Sequence, residues 1–451
     1  AGEDRSRSQS WRGGRPRVTL LTFLAQLAVV LAFIFLGAKV GGLGIGLAGG
    51  AGVIILGLLG CKVDPATGIP WEVVGIIMSV ICAVAVMEKA GGLDVLVAAS
   101  EKILRANPQR ITYVGPIVTF IMTVLCGTGN VAFAVLPVIA EVAKEQGIRP
   151  SKPLAASSVA SQMALVASPI SAATVIMAGA VEPMGISYPK LVAVTLCTTF
   201  VGCMVAAFVS SKQGCDLQDD PVYQQRKAAG KVHLREAGTY HIDRRAKLSL
   251  GIFLSALGVL MVYAVAISKI DNPPLPRGAA IMCAMLGAAL LICLTCKVPM
   301  SEVNDQPTFK AGMSAATCII GVAWLGNCFV ASNMGLIKSY GADALSGAPW
   351  LLAVVFFLGS TLLYSQAATL ATFLPAATAL GVGATVLVAS YSAAAALFVL
   401  PTYPTTVASI ELDDTGSTRI GSFIFNHPFL LPGLTAIVVS VLLGYGVLTL
   451  L

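Results

Sequence analysis

The sequence predicts an all-α polytopic membrane protein built from two inverted repeats, each with about five spans, a re-entrant hairpin and a broken helix. Three observations carry this. Of 451 residues, 56% are hydrophobic and 11% charged, against about 25% charged in a soluble domain. Apolar blocks of spanning length, roughly 20 residues each, recur along the chain. Distinctive segments of the first half also reappear, in the same order, in the second.

Taken in order, residues 1–17 are polar and hold Arg5, Arg7, Arg12, Arg15 and Arg17. They are expected to form a disordered extension. A signal peptide is not expected, because the block that follows has full spanning length. Residues 18–110 supply three spans, at 18–36, 43–59 and 71–87, then a surface amphipathic helix at 91–104. Residues 111–210 supply a hairpin (111–142), a broken helix (154–182) and a closing span (190–209). A cytoplasmic linker covers 211–247, and the polar stretch 210–247 holds eight basic and five acidic residues. Residues 248–348 again supply three spans, at 248–267, 279–296 and 311–330. Residues 349–451 again supply a hairpin (349–380), a broken helix (385–410) and a closing span (423–450).

The hairpins carry the clearest repeat. GTGNVAFAVLP (127–137) matches SQAATLATFLP (365–375) in length and in its Leu-Pro ending. The apolar piece after each is short for a crossing, so the chain is expected to turn back, with tips at 127–130 and 365–368. Irregular backbone at membrane depth survives only when buried in protein or lining a watery cavity. If each hairpin returns to its own side, each half crosses five times, and an odd number inverts the halves. One orientation places 19 of the 29 Lys and Arg in cytoplasmic loops and five in outer loops, as the positive-inside rule requires. The five N-terminal arginines fall outside and conflict with it.

Inverted repeats with broken helices are a pattern of secondary transporters, which bind substrate near the midplane where the repeats meet. Half-helix N-termini and exposed N–H groups hold anions without Lys or Arg. The substrate-binding candidates are therefore Thr128, Gly129 and Asn130 at the first tip, and Ser168, Pro169 and Ser171 at the first break. Their counterparts are Ser365, Gln366 and Thr369 at the second tip, and Pro401, Thr402, Tyr403 and Thr405 at the second break. Against this stands the plainer reading that small and hydroxyl residues simply pack membrane helices. Four clusters at matched repeat positions favour the site. Proline at the breaks also frees carbonyls that need partners.

Other features are weaker. Glu88 ends a span, where a charge marks the interface or titrates during transport. Gln162 and Asn327 line a path or bond between helices. The eleven Cys are scattered and read as small buried hydrophobes, and Cys293 and Cys296, though spaced CxxC, close an apolar block. His233, His241 and His427 form no metal cluster. No metal site and no catalytic residues are expected, and the chain does not read as an enzyme. The +7 net charge is a topology signal, so no nucleic-acid partner is expected. GGLGIG (41–46) lacks the strand–helix setting of a phosphate loop and reads as close helix packing.

Longer stretches are more specific. GGLDVLV (91–97), EKILRANP (101–108), GTGNVAFAVLPVIAEVAKEQGIRP (127–150), ASPISAA (167–173), GVAWLG (321–326), LLYSQAAT (362–369), LPTYPT (400–405) and DDTGSTRIGSFIFNHPF (413–429) are collinear. In these stretches the chain resembles the anaerobic C4-dicarboxylate transporter (Dcu) family, and within it the DcuA branch. The resemblance runs from about residue 20 onward.

It implies a carrier of fumarate, succinate, malate and aspartate in the bacterial inner membrane, working by exchange or by cation-coupled uptake. The coupling ion would be H+ or Na+, with no other cofactor. It also implies the ion-transporter superfamily fold: a homodimer embedded in lipid, in which a transport part moves against a scaffold like an elevator. The opening parts of each half, 18–110 and 248–348, would be scaffold, and the hairpins, broken helices and closing spans of 111–210 and 349–451 would be transport part. A carrier of another organic anion such as citrate or gluconate, or a transporter-derived sensor partner, fits the fold argument as well.

Overall fold

The computed structural model describes residues 20–40, 43–232, 242–267, 274–401 and 403–450. The expected N-terminal extension, part of the linker with His233 and His241, and Thr402 lie outside the described residues. Among the described residues all regular structure is helical, and nine helical stretches are long and apolar enough to cross a bilayer.

The first half opens with α1 (Leu20–Val40), α2 (Gly44–Leu58), the single turn α3 (Pro65–Gly68) and α4 (Trp71–Lys89). Gly91, at φ 83°, ends α4 and lets the chain turn into the amphipathic α5 (Gly92–Ala106). On its polar side Arg105 bonds Glu101 at 2.8 Å and Glu145 at 3.1 Å. The hairpin follows as α6 (Ile111–Cys126) and α7 (Ala132–Glu145). The broken helix is α8 (Ser151–Ala167) and α9 (Ala172–Val181), and α10 (Tyr188–Ser211) closes the half. Among its described residues the linker carries a 3-10 turn, Leu217–Asp219, and the short helix α11 (Pro221–Ala228).

Among the described residues the second half has no counterpart of α3 or α5 and runs α12 (Arg244–Ile267), α13 (Arg277–Cys296), α14 (Pro307–Gly347), the hairpin α15 (Leu351–Leu363) and α16 (Gln366–Ala379), the broken pair α17 (Ala384–Tyr391) and α18 (Pro404–Leu412), and α19 (Leu430–Leu450). Two boundaries differ from expectation. α14 is much longer than 311–330. Pro307 suits its first turn, and Glu88 accepts from the Thr308 N–H at 3.4 Å, placing a carboxylate at the helix N-terminus. The helix then meets no strong breaker until the Gly347-Ala-Pro349 stretch. α19 starts at Leu430 and not at 423. Gly421 N–H donates to the Asn426 carbonyl at 2.6 Å, folding this stretch into a turn, and Pro428 disfavours helix at the residue before it.

Small residues set how closely the helices approach, as expected where apolar burial against lipid gives little drive. α2 and α14 meet at glycines: a Cβ on Gly321 would lie 1.9 Å from the Gly46 carbonyl oxygen. This close approach is what the glycine run at 41–46 serves. The closing spans α10 and α19 cross at Gly202, where a Cβ would lie 2.3 Å from Ser440 Oγ, and Ser440 donates to the Thr198 carbonyl at 3.2 Å. One buried apolar cluster joins α8–α10 (Met163, Met177, Leu191) with the second half (Phe356, Leu387, Phe398, Phe429). A second joins α4, α12 and α13 through Met87, Phe253 and Met285. A third joins α1, α2 and α14 through Val30, Leu56 and Leu325. Asn327 donates to the Gly68 carbonyl at 2.8 Å and so ties α14 to α3.

Candidate substrate site

Both hairpin tips are built by one device. α6 ends on Gly127 in the left-handed region (φ 67°), its N–H donating to Thr123 at 2.9 Å. Thr128 is extended, and its hydroxyl accepts from the Asn130 N–H at 3.3 Å. One 3-10 turn, Gly129–Val131, then leads into α7. In the second half Tyr364 takes the left-handed conformation (φ 50°), with its N–H donating to Ser360 at 3.0 Å. Ser365 is extended, and its hydroxyl accepts from the Ala368 N–H at 3.2 Å to start α16. Thr128 thus corresponds to Ser365 and Gly127 to Tyr364. This is one residue off the sequence pairing of Gly127 with Ser365. The second turn also sits earlier than 365–368, because the Ser365 cap restarts the helix at Gln366.

The two breaks lie beside these tips. In the first, Ser171 caps α9: its hydroxyl accepts from the Thr174 N–H at 3.2 Å and donates to the freed Leu165 carbonyl at 2.6 Å. The Thr174 hydroxyl reaches the Tyr391 hydroxyl at 3.0 Å, joining the first break to α17. In the second, the chain leaves the 3-10 turn Ser392–Ala395 and regains helix at Pro404, with Tyr403 as N-cap. Ser360 and Thr361 on α15 donate to the freed carbonyls of Ala393 and Ala396 at 3.4 and 3.3 Å. These bonds answer the requirement that freed carbonyls at membrane depth find partners.

Tips and breaks together border a cavity of about 700 Å³. Of the predicted residues, Thr128, Gly129, Asn130, Ser171, Ser365, Gln366 and Tyr403 line it. Five others stand behind the wall. Ser168 donates to the Val124 carbonyl at 2.8 Å, and the Pro169 carbonyl accepts from the Tyr188 hydroxyl. Thr369 donates to the Ser365 carbonyl at 2.7 Å, Pro401 is buried, and the Thr405 hydroxyl accepts from the Gln162 amide at 3.2 Å. They shape the site without bordering it.

Sequence reasoning missed Tyr364, and it missed the opposite wall, formed by α4 (Ile77, Val80, Ile81, Val84) and α14 (Thr308, Gly312, Ser314, Cys318). The αL position at the second tip could have been found by aligning Tyr364 with Gly127. The α4 and α14 residues carry no local signal.

No described lining residue is charged. What faces the cavity electrically is the starts of four helical segments, at Gly129, Ala172, Gln366 and Pro404. Helix N-termini carry partial positive charge and unpaired N–H groups, so the arrangement favours an anion.

The architecture is that of a helical membrane transporter. It is similar to the Alcanivorax borkumensis YdaH transporter, with TM-score 0.57 and 14% identity, covering 96% of this chain and 99% of that one. It is also similar to Neisseria gonorrhoeae MtrF, with TM-score 0.50 and 13% identity, covering 82% and 80%. At such identities these likenesses speak for the fold alone.

The sequence narrows the class. A family profile described as anaerobic C4-dicarboxylate membrane transporter matches residues 22–451. The C4-dicarboxylate transporter DcuA of Wolinella succinogenes is 52% identical over 424 residues, covering 93% of this chain and 98% of the relative. DcuA of Escherichia coli K12 is 46% identical over 427 residues, covering 94% and 98%. The anaerobic C4-dicarboxylate transporter DcuB of Escherichia coli strain CFT073 is 34% identical over 439 residues, again covering 94% and 98%. The chain belongs to the DcuA/DcuB family of C4-dicarboxylate membrane transporters. It is therefore a multi-pass inner-membrane transporter and not an enzyme.

Proposed function

We propose that the chain carries fumarate, succinate, malate and aspartate by exchange or by H+- or Na+-coupled uptake, with the two carboxylates of the substrate bound between the two tips and the two breaks. The observation that carries this reading is the convergence of four helical N-termini, two from each half, on a cavity whose described lining holds no charged side chain. One carboxylate is held at the first tip and break by Asn130 and by the N–H groups near Gly129 and Ala172, the latter set in place by the Ser171 cap. The other is held at Ser365, Gln366 and the start of α18. Thr128, Ser365 and Ser171 fix these helix starts by capping them. Neutral donors suit a carrier, which must release its cargo as well as bind it.

The transport part is α6–α10 with α15–α19, and the scaffold is α1–α5 with α12–α14. The two halves are inverted, and the transport part moves as an elevator within a homodimer. The cavity supports this division, since hairpins and breaks form one side of it and α4 and α14 the other. Arg277 of α13 crosses the same boundary to Glu182, beyond α9, at 2.7 Å.

The test is exchange of labelled succinate in proteoliposomes, with and without pH and sodium gradients, for wild type and Asn130→Ala. A hydrogen bond to a charged group contributes about 1.5 kcal/mol, so the variant should lose about tenfold in apparent affinity. Unchanged exchange would remove the site assignment. Stronger competition by citrate or gluconate than by fumarate would change the cargo.

A further inference from the structure

We propose that Tyr364 sets the length of diacid the site accepts, its ring and that of Tyr403 forming a rigid end wall. The inference rests on the dicarboxylate reading of the cavity. Its starting point is a backbone anomaly. Tyr364 sits at φ 50°, and only one other described non-glycine residue, Lys297, has positive φ. The same turn in the first tip uses Gly127 at φ 67°, which has no Cβ to clash. A bulky side chain in the left-handed region is an outlier, and local strain of this kind collects at functional sites. Its side chain is therefore where a use should be sought.

Tyr364 lines the cavity, as does Tyr403. Their rings are parallel within 2°, with centroids 6.5 Å apart. One ring belongs to the hairpin tip and the other to the N-cap of α18. Aromatic side chains have few torsions, so a stacked pair on two anchored turns is stiff. The first tip has no equivalent ring, which makes the two ends of the site unlike.

Chain length is the property such a wall would read. Four-, five- and six-carbon diacids carry the same two heads, and helix N-termini recognise heads. An open chamber of about 700 Å³ with four such termini offers several pairings and is by itself permissive. A stiff apolar surface at one end penalises each added methylene, an effect typically worth about 10- to 200-fold.

The experiment is competition of succinate, glutarate and adipate against labelled succinate counterflow in wild type, Tyr364→Gly, Tyr364→Asn and Tyr364→Phe. Wild type should favour succinate over glutarate by about tenfold or more. Glycine and asparagine both tolerate the left-handed conformation, so those variants should fold, and their preference should fall to about threefold or less. Phenylalanine keeps the ring and should keep the preference. A wild-type preference retained in the glycine and asparagine variants, lost in the phenylalanine variant, or absent from wild type overturns the proposal. Failure of wild type to exchange succinate at all would instead overturn the dicarboxylate reading.

Discussion

Gln366 Nε2 donates to the main-chain carbonyl of Gln162 at 2.7 Å, fastening the start of α16 to the middle of α8. The Gln162 side chain continues the link by donating to the Thr405 hydroxyl at 3.2 Å. Both glutamines are buried. The second tip and both broken helices are thus one polar unit, tied across the two halves of the chain. The tip is thereby coupled to α8 and α18.

Two substitutions at Gln366 separate its structural share from its electrostatic one. Gln366→Leu removes the donor and should cost about 1 kcal/mol, as buried side-chain bonds between membrane helices do. Gln366→Glu sets a carboxylate among the helix N-termini. At neutral pH it should depress succinate exchange more than the leucine variant, because it competes with the substrate for the same partial charges. Thermal unfolding in detergent reads the first effect, and proteoliposome exchange the second. Equal exchange in the two variants would count against a site governed by anion recognition.

At the first tip, Gly127→Ala meets two penalties at once. Its φ of 67° costs an alanine about 1 kcal/mol. The new methyl would also lie 2.6 Å from Ile170 Cγ1, in the break between α8 and α9. Tip and break must then separate, so exchange should fall severalfold together with the unfolding midpoint. A variant with wild-type midpoint and wild-type exchange would show that the tip adapts freely.

Much of this was legible in the sequence, and the exceptions share a physical cause. Span positions follow from apolar length, and the tip and break residues Thr128, Ser171 and Ser365 follow from capping chemistry at hydrophobic boundaries. These are local signals. The wall of α4 and α14 is not local. Ile81 and Gly312 look like any membrane-helix residues, and only packing brings them opposite the tips. Ser168 and Thr405 stand behind the cavity lining for a related reason. A hydroxyl at a break serves either a substrate or a freed carbonyl, and composition alone does not say which. Pairing Gly127 with Ser365 is one residue off because the matching caps are Thr128 and Ser365: Pro375 follows its cap by ten residues, whereas Pro137 follows its own, in the first tip, by nine. The Leu-Pro landmark therefore lies one residue nearer the cap there than in the second tip.

The linker between the two halves holds a carboxylate whose charge makes stability depend on pH. Asp220 is fully buried and meets Arg149 Nη2 at 2.9 Å and Arg419 Nη1 at 3.3 Å, and it accepts from the Val222 N–H at 2.9 Å. Arg149 precedes α8 and Arg419 follows α18, so one linker carboxylate joins both halves. Burial alone would raise its pKa, but the Val222 N–H and the two guanidinium groups outweigh that and hold it below the usual carboxylate value. A group with a lowered folded pKa stabilises fully above its unfolded value, about 3.9 for aspartate, and loses that stabilisation as pH falls through the folded value. Asp220→Asn leaves two cations without their counter-charge and should destabilise by about 3 kcal/mol at neutral pH. The gap to wild type should stay level from about pH 8 to pH 5, begin to narrow near pH 4 as the aspartate of the unfolded chain protonates, and go on closing as pH falls through the lower folded value. Unfolding midpoints of both proteins across that range read the effect. A gap equally wide at pH 3 and pH 7 would mean that the loss is steric and that the charge on Asp220 does not hold the linker.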